Sequence, residues 1–116
     1  MASVNKLDLA SAKALSGSGT TNENAKASEL GQTRLVGWLN VTAIGGTSPS
    51  LTVTIQHSAD NSNFVTLQAF TAKTATGVEA IQISANCLPY VRASAALSGT
   101  TPTATYTCYL WFDRDK

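Results

Sequence analysis

The clearest pattern of hydrophobic and polar positions lies in residues 50–58, where Leu51, Val53 and Ile55 alternate with polar residues. A period of two places successive side chains on opposite faces of a strand, so this segment predicts a half-buried β-strand. A second run follows at 64–70, after a short link of Ala, Asp, Asn, Ser and Asn. Two alternating runs joined by turn-forming residues predict a β-hairpin.

The link of this hairpin has its own turn chemistry. Asp60 and Asn61 carry short side chains that accept hydrogen bonds from nearby backbone amides, and Asn tolerates a positive φ. We therefore expect both residues to shape the turn. The same oxygen-rich stretch is conceivable as a calcium site, but it holds one carboxylate where calcium prefers several, which favours the turn.

Further strands are expected along the rest of the chain. Residues 34–43 form a long strand with Leu39, Val41 and Ala43 on one face and Trp38 on the other, and the Gly- and Pro-rich residues 45–49 are expected to end it in a turn. The remaining predicted strands are 78–83, 90–97 and 103–112.

The last of these strands has two unequal faces. Ala104, Tyr106, Cys108, Leu110 and Phe112 share one face, which we assign to the core. The other face carries Tyr109 and Trp111, so these rings are expected to point away from the core, as Trp38 does.

Many short strands with frequent turns, and no helical period, predict an all-β fold: a single-domain antiparallel β-sandwich, with a jelly roll of about eight strands as the favoured arrangement. Immunoglobulin-like and simpler sandwiches share these periodicities and remain open.

The N-terminal residues differ from the rest. Leu7, Leu9 and Leu15 alternate with polar residues, and the stretch then becomes rich in Ser, Gly, Thr and Asn. We divide the chain into residues 1–24, an N-terminal arm or first strand followed by a flexible loop, and residues 25–116, the β-sandwich domain. The first strand either pairs with its own sheet or extends to another subunit.

Charge is scarce in this chain. Of its 116 residues 43% are hydrophobic and only 13% charged, with a formal net charge of +1. Such a neutral, Thr-rich surface indicates coverage by neighbouring subunits, or solubility through hydroxyl groups alone. The scattered basic residues do not form the stripe that nucleic-acid binding requires. Neither a secretory signal nor a membrane span is evident, so we expect synthesis in a cytoplasm.

The sequence offers no catalytic or metal-binding motif, and we expect neither enzyme activity nor a cofactor. His57 is the single histidine and lies at a strand end, where a hydrogen-bonded rim residue is expected rather than a metal ligand. Glu79 lies near Lys73, which predicts an ordinary ion pair. Cys87 and Cys108 lack a metal-ligand spacing; buried thiols are favoured over a disulfide, which stays open.

Two segments of the sequence resemble those of a known group of proteins. The hairpin segment at 53–64 and the strand at 89–94 occur here in a short, charge-poor chain. In these features the chain is similar to the small β-sandwich structural proteins of tailed bacteriophages, above all the jelly-roll cement or decoration proteins of their capsids. The resemblance covers residues 33–112 in pattern. It implies a dimer or trimer on the capsid exterior that binds the major capsid protein and bridges neighbouring subunits.

The resemblance and the exposed rings together give the candidate contact residues. They are Leu7, Leu9, Trp38, Tyr109 and Trp111. Since sugar-binding sandwiches also use aromatic platforms, the alternative is a phage tail or fibre-associated module that binds host glycans. A free carbohydrate-binding domain or small enzyme is the third and least favoured hypothesis.

Overall fold

The computed structural model describes residues 3–23, 26–27, 35–83 and 88–114. Across these ranges the chain forms strands and turns and no helix, so none of the described residues belongs to a helix that could span a membrane. The strands are β1 (Ser3–Ser16), β2 (Gly19–Asn22), β3 (Lys26–Ala27), β4 (Leu35–Ser58), β5 (Val65–Ala69), β6 (Gly77–Ile83) and β7 (Tyr90–Arg114). Every pairing between these strands is antiparallel, which confirms the predicted fold class.

The two longest strands, β4 and β7, each bend in the middle and so belong to two layers. In the first layer, residues 35–45 of β4 lie between β6 and residues 103–112 of β7, and β1 pairs on the far side of β7. In the second layer, residues 50–58 of β4 lie between β5 and residues 90–98 of β7, with β2 and β3 beyond. With the halves of β4 and β7 counted separately, and β2 and β3 as one position, this is an eight-position jelly-roll arrangement.

The bends of the two long strands share one sequence pattern. The pattern is Gly-Thr-Ser-Pro at 46–49 of β4 and Gly-Thr-Thr-Pro at 99–102 of β7. Both glycines have positive φ, 106° at Gly46 and 126° at Gly99. A Cβ at Gly46 would lie 2.7 Å from the carbonyl oxygen of Thr101, and one at Gly99 would lie 2.9 Å from that of Ser48. Only glycine fits where the two strands cross so closely.

A third segment passes between the layers at the same place. Residues 17–18 connect β1 of the first layer to β2 of the second, with Gly17 donating its N–H to the carbonyl of Pro102 at 2.9 Å. The hydroxyl of Ser18 donates to the carbonyl of Gly99 at 3.0 Å. The two layers are therefore one sheet folded over along a corner formed by three neighbouring segments.

Two sequence predictions are wrong at this corner. Residues 45–49 do not end the strand, because β7 follows the same bend and pairs with β4 on both sides of it. The expected flexible loop after the first strand contains β2 instead, which pairs with residues 94–97 of β7. The backbone groups of β2 that face β7 are thereby paired in the ladder.

The core lies between the layers and contains the inward positions that the alternation predicts. Leu51, Val53 and Ile55 are 0% exposed, and so are Leu39 and Tyr106. The layers meet closely at Gly37, where a Cβ would lie 3.0 Å from Cδ1 of Ile55 and 3.1 Å from the ring of Phe70. Because the first layer presents a glycine there, the larger side chains of the second layer can fill the interior.

The predicted hairpin is confirmed. After β4 ends at Ser58, the carboxylate of Asp60 accepts hydrogen bonds from the backbone N–H of Ser62 at 3.0 Å and of Asn63 at 2.9 Å. Asn61 has a φ of 62°, the left-handed conformation that asparagine tolerates. These bonds return the chain into β5 and leave the loop with local partners for its backbone.

Candidate interaction surface

One outer surface of the molecule is apolar. On the first layer, side chains that point away from the core come from the three adjacent strands β6, β4 and β7, and cross-strand pairing sets them side by side. Trp38 lies opposite Tyr109 on one side and Ala80 on the other, while Val36 lies opposite Trp111. We call this surface the aromatic face. Its residues are Val36, Trp38, Val78, Ala80, Tyr109 and Trp111.

The sequence-predicted rings are brought together on this face. Tyr109 and Trp111 form an edge-to-face contact with ring centroids 6.5 Å apart and planes at 83°. Trp38 remains 37% exposed although it is among the largest side chains of the chain. Such ring pairs are favourable beyond their buried area, so this contact stabilises the positions of the two rings.

Sequence reasoning missed the aliphatic part of the face. Val36 is 38% exposed and Val78 is 53% exposed, in a class of residue that normally lies inside. The period of two could have indicated it: Ile81 and Ile83 face inward, so Val78 and Ala80, which alternate with them, face outward. Their place beside Trp38, however, depends on the pairing of β6 with β4, which no local pattern reveals.

The six residues of the aromatic face carry no formal charge. Its neighbours in the same layer, Asn40, Gln82 and Thr107, are polar but neutral. At the rim of the face, β1 pairs two charged residues with its rings: Asp8 lies opposite Tyr109, and the backbone of Lys6 pairs with that of Trp111. A partner that covers the centre of the face, on β6, β4 and β7, therefore has little charge to desolvate there.

The opposite outer surface, on the second layer, is different in kind. Its side chains bond one another: Arg92 donates to Gln56 at 2.8 Å, and Ser94 donates to Asn22 at 2.6 Å. The guanidinium of Arg92 also lies 4.0 Å from the ring centroid of Phe64. Because these polar side chains already bond one another, the apolar surface is the stronger candidate for a contact.

The N-terminal candidates take other places. Leu9 is 2% exposed and lies in the core, so its side chain does not reach the surface in this fold. The backbone of Leu7 pairs with Leu110, but its side chain lies outside the described residues, since the described side chains begin at Asp8. The strand β1 that carries both leucines pairs with β7 of its own sheet.

The remaining chemical candidates have structural roles. His57 is half-buried, its Nδ1 accepts the backbone N–H of Leu88 at 3.2 Å, and burial lowers its pKa. Within the described ranges no group of His, Cys, Asp and Glu could hold a metal ion. Cys108 is buried, which raises the pKa of its thiol to about 12 and keeps it protonated. Cys87 lies outside the described residues.

No protein-family model matches this chain, and no curated protein matches it. Solved structures do. The chain is similar to the PBSX exported protein XepA, with a TM-score of 0.65 and 15% identity over 97% of this chain and 38% of that one. It is also similar to a chain of infectious bursal disease virus strain Gx, with a TM-score of 0.58 and 14% identity over 96% of this chain and 32% of that one.

A third similar chain comes from the T13 viral particle of infectious bursal disease virus. The TM-score is 0.60 and the identity 16%, over 97% of this chain and 31% of the other. The chain thus spans about a third of each of these proteins. At such identities the similarity shows the fold alone.

Proposed function

We propose that this protein is a structural protein of a virion, and more specifically a cement or decoration protein that binds a bacteriophage capsid from outside and bridges neighbouring major capsid protein subunits. The observation that carries the proposal is the aromatic face, an uncharged apolar surface on one side of a jelly roll. Interfaces are enriched in Trp and Tyr and depleted in charge at their centres, as this surface is.

The physical demands on a cement protein agree with this surface. Neutral apolar side chains are buried at little desolvation cost, and many copies on a symmetric shell reinforce each other even when each contact is weak. Similar folds in particles of infectious bursal disease virus support a virion role. No enzymatic activity is part of the proposal.

The test mixes the purified protein with empty capsids of its own phage assembled without it. We expect the free protein to sediment as a dimer or trimer, to bind the capsids at a fixed saturating stoichiometry, and to raise their resistance to heat and osmotic shock. A protein that stays free of the capsids at saturating concentration overturns the proposal.

A matched pair of variants assigns the contact surface. Val78 on the aromatic face is 53% exposed, and Val65 on β5 of the second layer is 57% exposed. We expect Val78→Ser and Trp38→Ser to weaken capsid binding, by about tenfold or more for the tryptophan, which corresponds to about 1.4 kcal/mol. Val65→Ser removes the same methyl groups elsewhere and should bind as the wild type does.

The second candidate function, a tail- or fibre-associated module that binds host glycans, is favoured by one feature of the same face. Asn40 follows Trp38 by two positions on β4, and Gln82 and Trp111 flank Val36 in the register, so the face combines rings with amides, which suits neutral sugars. A glycan array decides between the two functions. Saturable binding lost in Trp38→Ala and Trp111→Ala, without capsid binding, supports the glycan module.

A further inference from the structure

The two open sides between the layers are each crossed by a lysine–glutamate pair, and the pairs differ. On the side of β5 and β6, Glu79 accepts hydrogen bonds from Lys73 at 2.8 Å and from the backbone N–H and hydroxyl of Thr71 at 3.0 and 3.1 Å. Burial opposes ionisation there, but these bonds prevail and lower the pKa of Glu79. This side is closed by direct protein contacts.

The other side, between β1 and β2, is less complete. The ammonium of Lys13 on β1 lies 3.9 Å from Oε2 of Glu23, which follows β2, so the pair joins the first layer to the second. That distance is too long for a hydrogen bond. Oε2 of Glu23 is buried and has no hydrogen-bond partner among the described residues.

A second buried polar atom belongs to the residue that pairs with Lys13. Tyr106 of β7 is the register partner of Lys13 and is 0% exposed. Its hydroxyl also has no hydrogen-bond partner in the described part of the chain. Burial, and then the negative charge of Glu23, raise the pKa of Tyr106, so the hydroxyl keeps its proton and remains a donor.

Oε2 of Glu23 and the hydroxyl oxygen of Tyr106 could both be satisfied by one small molecule that donates and accepts hydrogen bonds. A carboxylate oxygen accepts hydrogen bonds and a phenolic hydroxyl both donates and accepts. Buried polar groups without a partner are rare in folded proteins because each costs free energy. Such groups usually form hydrogen bonds with an enclosed water molecule. The ammonium of Lys13 does not fill this role, since it lies 3.9 Å from Oε2 of Glu23, beyond hydrogen-bond distance.

We propose that Glu23 and Tyr106 form an internal binding site for one small neutral molecule that both donates and accepts hydrogen bonds, with water as its natural occupant. The guest donates to Oε2 of Glu23 and accepts from the hydroxyl of Tyr106. It thereby completes the closure of this side of the sandwich, where β1 and β2 meet, and links the two layers across it. This inference does not depend on the proposed virion function.

The first test counts long-lived internal waters by nuclear magnetic relaxation dispersion in the intact protein. We expect Tyr106→Phe to lose one long-lived water relative to the wild type. Tyr109→Phe removes a phenolic hydroxyl from the same strand at a half-buried outer position, and should keep the wild-type count. An unchanged count in Tyr106→Phe overturns the proposal.

The second test uses the sign of a stability change. If the hydroxyl of Tyr106 bonds a resident water, Tyr106→Phe lowers the Tm, by about 4 °C or more for the loss of one net hydrogen bond. If the hydroxyl has no partner, the same substitution removes a buried unsatisfied group and raises the Tm. A rise in Tm therefore contradicts the proposal, as does a crystal structure in which the hydroxyl bonds Glu23 directly.

Discussion

At the scale of single residues, Asp60 shows how one side chain organises a turn. Its carboxylate accepts the N–H groups of Ser62 and Asn63, and it also bonds the amide of Asn63 and the hydroxyl of Ser58. These bonds, the backbone N–H of Asn63 first among them, hold the pKa of Asp60 well below its ordinary value of 3.8. The ionised form is thus favoured by folding, although the group is exposed to solvent.

This gives a prediction with a definite pH dependence. A carboxyl group whose pKa is lower in the folded state stabilises the fold above its unfolded pKa, and loses that contribution as the pH falls below it. We expect Asp60→Asn to lower the Tm at pH 7, and the difference from wild type to shrink as the pH falls below about 4.

Thermal unfolding between pH 7 and pH 2.5 measures this difference. Ser62→Ala is the control, because Ser62 contributes its backbone N–H to the turn and keeps it after substitution. A difference between Asp60→Asn and wild type that stays constant down to pH 2.5 would show that the charge of Asp60 does not stabilise the turn.

At the scale of elements, the folded corner depends on two glycines that sequence periodicity does not distinguish from ordinary turn residues. Gly46 and Gly99 have positive φ. A Cβ at either position would lie only 2.7 Å or 2.9 Å, respectively, from a backbone oxygen of the opposite strand. Each glycine lies against the other bend, so the two bends stabilise one another. The bends of β4 and β7 therefore form one mutually dependent part of the corner.

We expect Gly46→Ala and Gly99→Ala each to reduce the free energy of unfolding by about 1–3 kcal/mol, since alanine is strained at positive φ and its methyl group meets backbone atoms. Gly77→Ala is the control: a Cβ there has no neighbour within 4 Å, and its φ is not positive. That variant should be neutral or more stable by up to about 1 kcal/mol. Urea unfolding measures all three, and equal stabilities would contradict the assigned backbone conformation.

The corner also shows what the sequence could and could not predict. Alternation placed Leu51, Val53 and Ile55 in the core and the three rings outside it, because the face of a strand residue follows from its parity alone. The bend at 46–49 was predicted as the end of a strand, because Gly and Pro mark both reversals and bends. A bend differs from a reversal in that the partner strand continues the hydrogen-bond ladder past it. That pairing joins residues far apart in sequence, so the local pattern does not reveal it.

At the scale of the whole molecule, polarity is divided between the two outer surfaces. The first layer presents the aromatic face, and the second presents polar groups that bond one another, such as Arg92 with Gln56. The chain as a whole carries a net charge of +1 with 13% charged residues. A molecule of this kind has one surface that gains from being covered and little long-range electrostatic attraction to guide it there.

The proposed contact should therefore respond weakly to ionic strength. Hydrophobic burial is not screened by salt, whereas attraction between exposed charges falls as the screening length shortens, from about 10 Å at 0.1 M to about 3 Å at 1 M. We expect the affinity for capsids to change by less than about threefold between these salt concentrations, which is under 1 kcal/mol. Sedimentation of labelled protein with capsids across a salt series measures it. A tenfold or greater loss of affinity would place charged side chains, rather than the aromatic face, at the centre of the contact, and Trp38→Ser would then bind as tightly as wild type.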